Sequence, residues 1–228
     1  MSRNIDFSIG EFYHLYNRGV DKRVVFLDIE DYERFITLLY LANNVSSTHI
    51  SNYKKYQGLA LMELLSIERE DTLVDIGAYC LMPNHFHILT HEKIENGVSV
   101  FMHKVMTGYT MYFNKKYKRT GALFGGTFKA EHVDSDEYLK YLFSYIHLNP
   151  VSLIDSKWKE NGISGKKKAE NYLNEYQYSS YLDYLSSGRK EKLIINKEAF
   201  PEYFTTNAEF SNHISWWLNF NNVEFIKV

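Results

Sequence analysis

Hydrophobic and polar positions follow two different periods along the first 150 residues of the chain. Four short segments rich in apolar or aromatic residues carry Gly or Pro-Asn turn signals at one end, and this pattern predicts β-strands. The predicted strands fall within 11–20, 72–82, 85–90 and 123–133. Because strand side chains alternate in direction, each strand is expected to present one face to a core.

Three other segments hold apolar residues at steps of three and four, which is typical of amphipathic helices. The helices are expected from Asp28 to about Ala42, from Val98 to near Gly121, and over 136–148. Asp28 is predicted to cap the first helix, and either Asp134 or Ser135 to cap the third. Asn149 and Pro150 are expected to terminate the third helix.

The order strand, helix, strand, strand, helix, strand, helix predicts an α+β fold with a mainly antiparallel sheet flanked by helices. Residues 1–150 are therefore expected to form one domain. The polar segment 43–71 interrupts it, and one apolar patch there predicts an insertion with a short helix. Residues 151–228 are less periodic and are expected to form a C-terminal extension that is mostly helical.

Composition places the chain among globular proteins, with 228 residues of which 45% are hydrophobic. The single cysteine, Cys80, cannot form an internal disulfide, which favours a reducing compartment. The N-terminus lacks the apolar core of a signal peptide, and no run approaches the length of a membrane span. A cytoplasmic protein with no membrane partner is expected.

The formal net charge of −2 gives no support for nucleic-acid binding, but the distribution of charge does. Residues 99–130 contain no Asp or Glu and six basic residues, namely Lys104, Lys115, Lys116, Lys118, Arg119 and Lys129. A local basic stripe of this kind is typical of a surface that contacts phosphates. The alternative is a solvated helix face.

Two pairs of polar residues suggest chemistry. His85 and His87 lie two apart in a predicted strand, so they share a face, and neutral imidazole is the commonest metal ligand in proteins. Tyr145 and Asn149 lie four apart at the end of a predicted helix, so they also share a face. A phenol has an unperturbed pKa of about 10. It can act as a nucleophile when a metal, a base or a cation activates it. An amide oxygen could complete a histidine pair for a divalent cation.

At these residues the sequence resembles a known family. The stretch "MPNHFHILT" resembles the HUH motif, and "YIHLNP" at 145–150 resembles the nucleophile motif Y-I-x-x-N-P. Between them, "YTMYFNKKYKRTGALFGGTFKA" is similar to the segment that links these motifs in the REP-associated tyrosine transposases, which belong to the single-tyrosine HUH transposase superfamily. The resemblance covers about 11–150 and continues weakly through "YQYSSYLDYL". Phe124 and Thr127 depart from the tryptophan and arginine that are usual in the family.

The resemblance implies a ferredoxin-like HUH nuclease fold and a metal-dependent single-strand DNA endonuclease and strand transferase. It assigns His85, His87 and Asn149 to a divalent ion, Mg²⁺ or Mn²⁺. It assigns Tyr145 to attack on the scissile phosphate, which leaves a 5′-phosphotyrosine. The implied substrate is single-stranded DNA with hairpins, and the implied assembly is a monomer or a homodimer. Independently of the resemblance, the charge pattern of residues 99–130 predicts phosphate contacts at Lys104, Lys115, Lys116, Arg119 and Lys129.

Two other functions are compatible with parts of the pattern. A DNA-binding protein derived from a transposase would keep the fold without transposing, although an intact set of motif residues argues against it. A metal oxygenase or cupin-like barrel also uses histidine-x-histidine, but it would need many glycine-bounded strands where this chain has two long helices. Tyr109 and Tyr112 are weaker candidates for the nucleophile because they lie in the apolar stripe of their helix.

Overall fold

The computed structural model describes residues 5–46, 60–185 and 188–219. Its sheet has four strands in the order β2-β3-β1-β4, and every neighbouring pair is antiparallel. The strands are β1 (Phe12–Arg18), β2 (Val74–Met82), β3 (His85–Glu92) and β4 (Lys129–Val133). The predicted α+β class with an antiparallel sheet flanked by helices is confirmed, and the sheet is open, which is not the architecture of a barrel.

The described part of the chain has helices at the predicted places and four further helices after them. They are α1 (Ile29–Leu41), α2 (Gly97–Lys116), α3 (Asp136–Leu148), α4 (Trp158–Asn161), α5 (Lys166–Glu175), α6 (Tyr181–Leu185) and α7 (Asn207–Asn219). As predicted, the carboxylate of Asp28 caps α1 by accepting from Asp31 N. Ser135, the second of the two candidates, caps α3 by accepting from Tyr138 N. α2 ends earlier than predicted, before Gly121, and Asn149 opens a 3-10 turn that continues directly from α3.

The two faces of the sheet are covered by different elements. α1 and α2 pack on one face, where Phe35 and Phe101 join Phe86 of β3 in a core. On the other face, α3 and the C-terminal extension form a second core with Cys80 and Leu89. The α2 helix and the α3 helix therefore lie on opposite sides of the sheet.

The C-terminal extension covers the edge strand β2, which would otherwise present unpaired backbone groups. Leu81 N donates to Tyr178 O at 2.9 Å, and Asn196 N donates to Ile76 O at 2.9 Å. The ring of Phe200 lies directly over Gly77, where a Cβ atom would approach the ring to 2.6 Å. The extension is helical as expected: α4 and α6 are short, α7 is as long as α3, and two 3-10 turns lie between α6 and α7. The boundary proposed at residue 150 stays a prediction.

The predicted insertion at 43–71 is described only at its two ends, because residues 47–59 lie outside the described residues. A 3-10 helix at Leu61–Ser66 corresponds to the short helix predicted there. Its Leu64 and Leu65 are buried in the core beside α1. Among the described residues, none of the helices combines the length and the apolar character needed to cross a lipid bilayer.

Candidate active site

The site lies on the sheet face that carries α3. His85 and His87 project to this face from β3, and antiparallel pairing places Tyr16 opposite His87. In the same way, His14 of β1 lies opposite Leu89 on one side and Glu131 of β4 on the other. The pairing of three strands thus collects polar side chains that are far apart in the sequence.

These side chains line a cleft of about 490 Å³ at the end of β1. His85, His87 and Tyr145 all line it, so the structure brings three of the four predicted catalytic and metal-binding residues to one space. The other lining residues include His14, Tyr16, Arg18, Lys22, Lys129, Glu131 and Lys159. Asn149 lies behind Tyr145 and is buried.

Each histidine of the HUH pair is held through its Nδ1 atom. His85 Nδ1 lies 2.6 Å from Asn84 Oδ1, and His87 Nδ1 lies 2.9 Å from His14 Nε2. Within the described residues, these hydrogen bonds use Nδ1, so Nε2 of each ring could accept a ligand. Burial lowers the pKa of His85 to about 3 and holds the pKa of His87 well below its usual value. Both rings are therefore neutral near pH 7, which is the state that binds metal ions.

Glu131 places a negative charge at one wall of the cleft. Its Oε1 accepts from Tyr16 OH at 2.6 Å, its Oε2 accepts from Tyr138 OH at 3.1 Å, and His14 Nδ1 lies 3.8 Å from Oε2. The His14 ring, followed by the Tyr16 hydroxyl, lowers the pKa of Glu131 to about 2. The carboxylate is ionised and anchored, and it supports His14 behind His87.

Tyr145 projects from α3 toward the histidines. Its ring centroid lies 5.5 Å from that of His87 and 6.0 Å from that of His14. The side-chain amide of Asn149 donates to the backbone carbonyl of Tyr145 at 2.8 Å, which orients the amide one turn below the phenol. Burial raises the pKa of Tyr145, so the phenol is un-ionised at neutral pH and needs a partner before it can act as a nucleophile.

Lys159 is a residue that sequence reasoning missed. It belongs to α4, and its Nζ donates to Tyr145 OH at 2.9 Å and to Asn149 Oδ1 at 3.2 Å. The same nitrogen lies 4.1 Å from the centroid of the Tyr145 ring. Burial lowers the pKa of Lys159 to about 8. No local pattern around "SKWKEN" marks this lysine, because its role depends on how the extension folds back onto α3.

The basic residues predicted to contact phosphates are divided between the two sides of the sheet. Lys129 lines the cleft, whereas the other four lie on α2 or just after it, on the opposite side.

Some of these four residues already have partners within the protein. Lys104 donates to Asn44 O at 2.7 Å, and Lys116 donates to carboxylate oxygens of Asp28 and Asp31 at 2.8 and 3.0 Å. Lys115 is exposed, and Arg119 donates to Asn114 Oδ1 at 2.9 Å. Their role in DNA binding stays a prediction.

The donor set chemically fits a divalent ion. Two neutral imidazole Nε2 atoms and the amide oxygen of Asn149 are common ligand types, and an amide oxygen has a second lone pair beside the one that accepts from Lys159. The described residues contain no cluster of three or more His, Cys, Asp or Glu side chains placed to hold a metal. The predicted site differs from such a cluster because its third ligand is an amide, and it stays a prediction.

Comparisons with known proteins bear on the family and the fold of the chain. The family described as "Transposase IS200 like" matches residues 40–149. A solved structure of a REP-associated tyrosine transposase bound to a REP hairpin is similar in fold, with a TM-score of 0.51 and 12% sequence identity. The match covers 83% of this chain and 88% of that one. No curated protein matches the sequence. The resemblance drawn from the motifs and the expected fold are confirmed.

Proposed function

We propose that the chain, whose residues 40–149 match the family described as "Transposase IS200 like", is a single-strand DNA endonuclease and strand transferase that acts on hairpin-bearing DNA. Transposases nick and join DNA, so the expectation of an enzyme agrees with the family. The single observation that carries the proposal is the position of Tyr145, whose ring lies 5.5 Å from that of His87 in a shared cleft.

The proposed reaction is a transesterification at phosphorus. The hydroxyl oxygen of Tyr145 forms a bond to the scissile phosphorus while the bond from phosphorus to O3′ breaks. The phenolic proton passes to water, and the departing O3′ takes a proton from water. The product is a 5′-phosphotyrosine and a free 3′-OH, and the reverse reaction with another 3′-OH joins strands without ATP because the ester bond is conserved.

The residues around the Tyr145 phenol have distinct roles in the proposed reaction. His85 and His87, through Nε2, and Asn149, through Oδ1, would hold a divalent ion such as Mg²⁺ or Mn²⁺. When bound, such an ion polarises a phosphate oxygen and offsets its negative charge. The aromatic faces around Tyr145 restrict the phenol to one direction, which favours an oriented attack.

Hairpin-bearing single-stranded DNA is the proposed partner. The structurally similar transposase is bound to a REP hairpin, and the cleft of this chain carries Arg18 and Lys129 as exposed cations. Such cations contact the phosphate backbone, while folded single strands are recognised by shape and by stacking. Action in the cytoplasm, and as a monomer or a homodimer, stays a prediction.

A DNA-binding protein without transposition activity is the second candidate. It would need the same basic groups at the cleft but no reactive tyrosine. The joint placement of Tyr145, His85 and His87 in one cleft favours the enzyme, because hairpin binding alone does not require these three side chains together.

The test is a search for a covalent protein–DNA adduct. The full chain is incubated with a panel of hairpin-bearing single strands and Mg²⁺ or Mn²⁺, and the adduct is mapped by mass spectrometry. The modified residue is expected to be Tyr145, and Tyr145→Phe is expected to abolish the adduct while leaving folding intact. Tyr141→Phe is the matched control, because this neighbour on α3 has a buried hydroxyl that forms no hydrogen bond with the described residues.

An adduct on any other tyrosine would contradict the assignment of the nucleophile. Hairpin binding by the wild-type chain with no adduct on any strand of the panel would favour the DNA-binding alternative.

A further inference from the structure

A lysine from the C-terminal extension touches the atom that the proposed reaction uses as its nucleophile. Lys159 Nζ lies 2.9 Å from the hydroxyl oxygen of Tyr145. Lys159 lies outside residues 40–149, the part of the chain that matches the transposase family. The contact therefore comes from a segment to which neither the motifs nor the family match gives a role.

The surroundings of Lys159 leave its positive charge directed at the phenol. Its other hydrogen bond goes to the neutral amide of Asn149, and its nitrogen also lies against the ring faces of Tyr145 and Trp158. Among the described residues, none of the ion pairs includes Lys159. An ammonium that is partly buried without a carboxylate partner is costly to a fold, and such a group commonly has a functional use.

We infer that Lys159 is a further catalytic residue, whose ammonium stabilises the negative charge on the Tyr145 oxygen during strand cleavage and again during strand joining. The inference rests on the proposed function. During cleavage the phenol loses its proton to water as the oxygen bonds to phosphorus. During joining the same oxygen leaves phosphorus as a phenolate, and the ammonium lies 2.9 Å from its position in the resting state. A fixed cation that needs no rearrangement is an effective source of such stabilisation.

The inference also gives the extension a function. Trp158, the residue before Lys159, is buried in the core that α3 forms with the sheet. This packing holds the short α4 helix against α3, so tertiary structure determines the position of Lys159. The nuclease site would then be complete only when the extension is docked.

The first arm of the test measures single-turnover adduct formation with the hairpin panel. Lys159→Gln is expected to slow cleavage by about 100-fold, as removal of one donor to a developing oxyanion does, with DNA affinity nearly unchanged. Lys159→Arg, which conserves the charge, is expected to retain a rate within about tenfold of wild type. Lys157→Gln is the matched control, because Lys157 is exposed on the same segment and its loss is expected to leave the rate unchanged.

The second arm needs no DNA. Replacement of Tyr145 by 3-fluorotyrosine gives a fluorine resonance beside the hydroxyl, and Lys159→Gln is expected to shift this resonance whereas Lys157→Gln is not. Lys159→Met is measured in parallel, with circular dichroism of each variant, so that a folding defect in one variant does not decide the result.

The outcomes separate the two proposals. A fluorine resonance that does not respond to either Lys159 variant overturns the inference, whatever the activity. A wild-type rate of adduct formation in folded Lys159→Gln overturns the role of Lys159 alone. A wild-type chain that forms no adduct overturns the proposed function and the catalytic role of Lys159 with it.

Discussion

Nε2 of His14 lies 2.9 Å from Nδ1 of His87, and this hydrogen bond joins the first strand of the sheet to the HUH pair. The bond restrains the orientation of the His87 ring, which lines the cleft. Behind His14, Glu131 accepts from Tyr16 and lies 3.8 Å from His14 Nδ1. Histidine ligands of metals commonly have such outer partners, and loss of a partner weakens the site.

Metal affinity is therefore expected to depend on His14 as well as on the HUH pair. His14→Phe should weaken Mn²⁺ binding to the DNA-free chain by about 10- to 100-fold, and the double change His85→Ala and His87→Ala should abolish it. Isothermal titration calorimetry measures both effects. His132→Gln is the control, since this histidine is exposed and pairs with Glu11. Undiminished affinity in the double variant, or full cleavage in EDTA, would refute the metal site.

The basic residues are expected to differ in what they contribute. Lys129 lines the cleft, so Lys129→Gln should weaken hairpin binding across sequences and reduce the salt dependence of log K by about one unit. Lys116 is already paired with Asp28, Glu30 and Asp31. Because Asp31 is buried and would lose a charged donor, Lys116→Gln should lower the free energy of unfolding by about 1–3 kcal/mol, with little effect on DNA affinity. Binding titrations at several salt concentrations and urea unfolding give the two quantities. The reverse pattern would mean that DNA contacts α2 and not the cleft.

The contact between Gly77 and Phe200 is expected to control docking of the C-terminal extension. Gly77→Ala would force a methyl group into the Phe200 ring, and it should destabilise the fold by about 1–3 kcal/mol. Gly165→Ala is the control, because a Cβ there meets Lys168 Cβ at an ordinary 3.6 Å. Urea unfolding measures both variants, and Phe200→Leu should recover part of the loss in the Gly77→Ala background. Equal stability of the two alanine variants would indicate that the extension does not pack on β2.

Stability is expected to fall on acidification because of His147. This side chain is fully buried, its Nε2 lies 2.7 Å from Ser180 Oγ, and burial lowers its pKa to about 3 from an ordinary 6.5. Between these values the unfolded chain binds a proton that the folded chain does not, so the free energy of unfolding decreases as the pH drops below 6.5. The contribution is at most about 1.4 kcal/mol per pH unit.

The change His147→Gln should remove the contribution of this one side chain between pH 6.5 and 4, as measured by urea unfolding at several pH values. A smaller slope should remain, because burial also lowers the pKa of His85 and His87. His103→Gln should leave the dependence unchanged, because His103 is exposed. Parallel pH profiles of wild type and His147→Gln would show that another group is responsible.

The spacing of residues along the chain was sufficient to predict the strands and helices. It also predicted, separately, the two residue pairs of the candidate site. Alternation placed His85 and His87 on one strand face, and a four-residue step placed Tyr145 and Asn149 on one helix face. Capping chemistry marked the starts of α1 and α3. These relations depend on residues within a few positions of one another, and the backbone geometry of a strand or a helix determines them directly.

Tertiary structure alone decided which distant residues meet. An amphipathic stripe shows that α2 packs on a sheet but not on which face, so the sequence could not reveal that four of the five predicted phosphate contacts lie across the sheet from the cleft. His14 and Glu131 reach the site through strand pairing, and Lys159 reaches it because buried Trp158 anchors α4 beside α3. Each of these contacts joins segments separated by many residues. Local periodicity cannot predict such contacts, because the packing of the whole fold determines them.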